Sequence, residues 1–224
     1  MNSKGAFRKF QLKVMGFIAI FIAPVVAIVT RLVYGLPFPQ SVSETGTIAN
    51  QVSPILPFGL GALALFSLTY LVVYSYDNSD RVFLTGMVVG FTFVAMQACS
   101  SSYIVVDRVG LFGVSPVVSN ILHCVGAFIG FGSMIFWIML CFRKSDKARN
   151  QQTARKRLRN TVYFWLAVAM IASLLIFVIK TVGLLGEGFP VVFVAEAIML
   201  FFGGVACLIK GELLFPDNTT VIEP

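Results

Sequence analysis

The sequence predicts an all-α fold, a polytopic membrane bundle of six transmembrane helices with both termini cytoplasmic. Three observations carry this. Hydrophobic residues make up 58% of the 224-residue chain and charged residues only 12%, where a soluble domain averages about 25% charged. Apolar runs of roughly 20 residues recur along the chain, each long enough to cross the hydrocarbon core as a helix. The basic residues fall on alternate connections. No stretch is left over for a separate soluble domain, so residues 1–224 read as a single transmembrane domain.

The first span is expected over residues 14–34, after a basic start with Lys4, Arg8, Lys9 and Lys13. It is longer than a signal-peptide core, and its Pro24 is tolerable in a packed membrane helix, so it reads as an uncleaved span. Residues 35–54 form a loop rich in proline and glycine, with no lysine or arginine. The second span is expected over 55–76 and the third over 82–104, separated by the polar turn Asp77-Asn78-Ser79-Asp80-Arg81. Gly86, Gly90, Gln97 and Ser101 share one face of the third span. Small residues at that spacing let helix backbones approach closely in lipid.

The fourth span, 117–142, carries Asn120 and the only histidine, His123, in its first two turns, then Gly126 and Gly130. Residues 143–159 form a basic connection with Arg143, Lys144, Lys147, Arg149, Arg155, Lys156, Arg157 and Arg159 against one acid, Asp146. The fifth span, 161–182, ends near Lys180, and the sixth, 191–209, contains Glu196.

Six spans put both termini on one side. With that side cytoplasmic, the inner flanks hold Lys4, Arg8, Lys9, Lys13, Arg81, the basic connection and Lys210, and the outer flanks only Arg31, Arg108 and Lys180. This is a positive-inside asymmetry. It accounts for the net charge of +7 without nucleic acid, for which no motif is present.

The same topology sorts the polar residues by depth. Glu44, Gln97, Ser101, Asn120, His123, Lys180 and Glu196 all fall toward the outer face and are the candidate ligand-binding residues. An imidazole exchanges protons near neutral pH, and a carboxylate in lipid needs a partner. His123 or Lys180 is the expected partner of Glu196, His123 as a structural clamp between the fourth and sixth spans. A headgroup pocket, a proton-coupled path, or an acid/base pair of His123 and Glu196 in a lipid-modifying enzyme stay open, as does a small transporter or channel. One histidine cannot build a multi-histidine metal site, and no Gly-x-Ser-x-Gly motif is present. No catalytic residue, metal or cofactor is therefore assigned.

Cys99, Cys124, Cys141 and Cys207 lie in or beside apolar segments and read as small hydrophobes. The eight cations of residues 143–159 are expected to contact anionic inner-leaflet lipids. Asn218-Thr219-Thr220 matches a glycosylation sequon but falls on the cytoplasmic side.

Three pieces resemble the DRAM/Frag/Sfk family of six-span membrane proteins. Val42-Ser43-Glu44-Thr45-Gly46-Thr47 is similar to that family's Ile-Ser-Asp-Thr-Gly-Thr. His123, Gly126, Ala127, Phe131 and Gly132 form the second piece, and Ala195-Glu196 the third. The chain departs from the pattern at Glu44, at Asn50-Gln51 and at Ala197. The resemblance implies a membrane regulator of the autophagy or phosphoinositide type, in the plasma membrane or an endolysosomal membrane, with lipid-anchor remodelling in another branch. Expected partners are membrane lipids, a second copy of the chain or another membrane protein.

Overall fold

The computed structural model describes residues 3–33, 35, 38–44, 55–75, 77–97, 99, 108, 110, 112–145, 151–184 and 189–216. The described residues form six helices: α1 (Ser3–Leu32), α2 (Ile55–Tyr74), α3 (Asn78–Met96), α4 (Pro116–Phe136), α5 (Ala154–Thr181) and α6 (Val191–Lys210). Each is long and apolar enough to cross a membrane. The side chains invert the soluble pattern. Phe58, Val72, Phe128, Trp165 and Leu175 are exposed on the outside of the bundle, as suits a surface that faces lipid tails. The chain is an integral, multi-pass membrane protein.

Around the bundle, α1 packs between α2 and α6, α2 against α3, α3 against α4, and α5 against α6. Glycine lets two of these pairs close. A Cβ on Gly90 would lie 2.2 Å from Gly130 N, and one on Gly126 would lie 2.6 Å from Phe93 Cβ. The predicted small-residue face of the third span therefore meets the second glycine pair on α4. Gly16 and Gly204 make the same kind of approach between α1 and α6, with Gly204 O 2.8 Å from a Cβ built on Gly16. By contrast, α4 and α5 meet only lightly, which leaves a seam along the bundle.

Several boundaries move from their expected places. Helix α1 starts at Ser3 instead of residue 14, so its basic residues are helical. Its 30 residues span about 45 Å, more than the roughly 30 Å of hydrocarbon. Helix α3 stops at Met96 instead of running to 104, because Gln97 is extended (φ −115°, ψ 132°). The expected Ser101 lies outside the described residues. Helix α5 starts at Ala154, capped by the Thr153 side chain, so the second half of the basic connection is helix. The fourth span closes with a π turn over Trp137–Cys141, in which Phe142 N donates to Trp137 O at 3.1 Å.

Candidate functional sites at the two ends of one seam

Both sites sit between α4 and α5, one at each end. At the end carrying Glu196, the chain before α2 folds back onto α6. Gln40 O accepts from Phe193 N at 2.9 Å, and the Phe38 ring packs edge-on against Phe193 with centroids 4.7 Å apart. The loop is cross-braced by Glu44, whose Oε2 accepts from Gln40 N at 2.8 Å and whose N–H donates to Ser41 Oγ at 2.8 Å. Glu196 then receives the loop. Its Oε2 accepts from Val42 N at 2.6 Å and Ser43 N at 3.3 Å, and its Oε1 accepts from Ser43 Oγ at 2.8 Å.

His123 is held differently. Because α3 ends at Met96, the carbonyl of Gln97 has no helical donor of its own, and His123 Nδ1 sits 2.7 Å from it. A carbonyl only accepts, so in the uncharged ring the proton is on Nδ1 and Nε2 carries the lone pair. That Nε2 is buried without a protein partner. The Gln97 side chain turns away from the ring. Its Oε1 accepts from Ser119 Oγ at 3.3 Å and lies over Gly110, whose φ of +72° and lack of a Cβ leave it room.

The expected clamp between His123 and Glu196 is therefore not formed. Glu196 is taken by donors from the 42–43 backbone, and His123 by the freed end of α3. The two side chains nevertheless line one cavity of about 310 Å³, together with Glu44, Asn120 and Lys180. Five of the seven predicted residues thus converge on it. Gln97 stands behind His123, and Ser101 is outside the described residues. Ser43, Cys99 and Cys124 also line the cavity and were missed as site residues. Cys141 and Cys207 are buried in the core, as expected for small hydrophobes.

At the opposite end lies a cavity of about 590 Å³. The end of the π turn gives it Met139 and Leu140, the following residues give Arg143 and Lys144, and the first turns of α5 give Arg157, Asn160, Thr161 and Phe164. The Arg143 guanidinium lies 5.5 Å from the centre of the Phe164 ring, a stacking distance for a cation over an aromatic face. Arg143 Nε and Asn160 Oδ1 are buried without a protein partner, while Asn160 Nδ2 donates to Gln152 Oε1 at 3.2 Å. Lys144 is paired with Asp77 at the start of α3. The hydrogen bond from Lys144 holds the Asp77 carboxyl well below the usual carboxylate range, helped by Asp80 N and Ser79, and Asp77 in turn raises Lys144.

The basic connection is not one undifferentiated patch. Arg155 donates to Pro216 O at 2.6 Å, and Lys156 to Phe142 O at 3.3 Å, the same carbonyl that accepts from Lys210 at 3.1 Å. Arg159 is buried. Arg155 and Lys156 thus tie the bundle to itself, and Arg143, Lys144 and Arg157 line the cavity. Lys147 and Arg149 lie outside the described residues. Among the described residues no group of three or more His, Cys, Asp or Glu side chains is arranged to hold a metal ion. No family model, curated protein or solved structure matches the chain.

Proposed function

We propose that this is a non-catalytic membrane protein that binds and organises lipids, with its basic end in the cytoplasm and an anionic headgroup held by Arg143 and Arg157. The carrying observation is the basic cavity. It places two guanidinium groups beside Leu140 and Phe164 at the end of the spans, the depth at which a lipid phosphate meets the first methylenes. Guanidinium groups recognise phosphate oxygens with paired N–H donors, and cations next to a span attract acidic lipid by about 1 kcal/mol each. The DRAM/Frag/Sfk resemblance supports the same class of activity, in the plasma membrane or an endolysosomal membrane.

The test is retention of phosphatidylserine or a phosphoinositide by the purified protein in nanodiscs. The double variant Arg143→Gln, Arg157→Gln should lose roughly tenfold or more of that retention at low salt. Equal retention by the variant would remove the headgroup assignment.

The shared cavity of His123 and Glu196 favours a second reading, a lipid-modifying enzyme. Product formation from a panel of lipids that disappears in His123→Ala would establish it.

A further inference from the structure

We infer that the cavity at the Glu196 end binds the hydroxyl-bearing, glycerol-type headgroup of an uncharged membrane lipid, with a free hydroxyl donating to His123 Nε2. His123 is 3% exposed, lines the cavity, and leaves one ring nitrogen without a protein partner. Buried polar atoms are satisfied in nearly all native structures, so a buried acceptor beside an open cavity points to a donor that comes from outside the chain. Asn120 and Lys180 bring N–H groups to the same cavity, which suits a group that both donates and accepts, as an alcohol does.

Charge narrows the class. Glu44 and Glu196 line the cavity against one lysine, which disfavours a phosphate. Size narrows it further. A volume of about 310 Å³ is at the small end for ligand sites, enough for a headgroup but not for its acyl chain. The chain would lie along the light contact between α4 and α5, beside exposed Ile121, Val125 and Ile176. The inference deepens the lipid-binding reading at a second site that shares no residue with the basic cavity, so each can fail alone.

The experiment uses the full chain in phosphatidylcholine nanodiscs doped with a monoacylglycerol, or with the same lipid O-methylated at both free hydroxyls. Retained lipid is quantified by mass spectrometry. The monoacylglycerol should be retained roughly tenfold better than its methylated analogue, the effect of about one hydrogen bond. His123→Phe should abolish the difference. Cys124→Trp, which fills the cavity without touching the bond between His123 and Gln97, should abolish retention and decides the matter if His123→Phe does not fold. The variant Arg143→Gln, Arg157→Gln should retain the monoacylglycerol in full.

Equal retention of the analogue, no retention of either lipid, or undiminished retention in Cys124→Trp would overturn the inference. Displacement by free glycerol would overturn the lipid as its source in favour of a soluble polyol. Loss of retention in the arginine variant would overturn the separateness of the site.

Discussion

Glu196 shows how far single residues can be read in this chain. A carboxylate inside an apolar span is costly enough to mark itself in the sequence. Its partners are not marked, because they are mostly backbone N–H groups of Val42 and Ser43, and any residue except proline carries one. His123 and Lys180 looked like partners only because they fall at the same depth. The real arrangement makes Glu196 the anchor of the 38–44 loop. Glu196→Leu strands three buried donors and should lower stability by on the order of 3 kcal/mol, read as thermal unfolding in detergent. Glu196→Gln keeps an accepting oxygen and should lose clearly less. Equal losses in the two variants would mean that packing, not hydrogen bonding, holds the loop.

At the scale of the helices, hydropathy located all six spans, since length and apolarity are additive properties of a window. It placed the polar ends poorly. Lys4 to Lys13 and Ala154 to Asn160 are too polar to count as span, yet they continue the helices, because helix geometry does not stop where lipid does. The reverse error occurred at Gln97, where the span is expected to run on to residue 104 but the helix ends at Met96.

The glycine spacing marked close-packing faces on the third and fourth spans without saying that they meet each other, and the pair Gly16 and Gly204 joins segments too far apart in sequence for any spacing rule to link them. Gly90→Ala would drive a methyl group into the backbone of Gly130 and should cost about 2 kcal/mol or more. Gly132→Ala meets nothing within 4 Å and should be neutral or slightly stabilising, since alanine is the better helix former. Thermal unfolding of the two variants side by side checks the pair. An unaffected Gly90→Ala would show that the two helices are free to separate.

For the molecule as a whole, positive-inside counting found the polar residues of one end but not the seam that gathers them. The seam exists because α4 joins its tight glycine contact to α3 and α5 packs instead on α6, and such a choice of partner leaves no local trace in either helix. The π turn then acquires a meaning beyond its own five residues. It inserts one residue into the ladder, so Phe142 and Arg143 directly after it are turned by about 100° relative to an uninterrupted α-helix. It therefore works as a phase setting between the two ends of the bundle. His123 before it and Arg143 after it open onto the same seam only in this phase. Deletion of Leu140 should restore the α register and swing Arg143 off the seam with the other side chains unchanged in identity. Anionic-lipid retention should then fall as it does in the arginine variant, and re-inserting one alanine in the turn should recover it. Two ligand sites some twenty residues apart would in that case be tuned against each other by helix phase, with His123, Arg143 and Arg157 themselves unaltered.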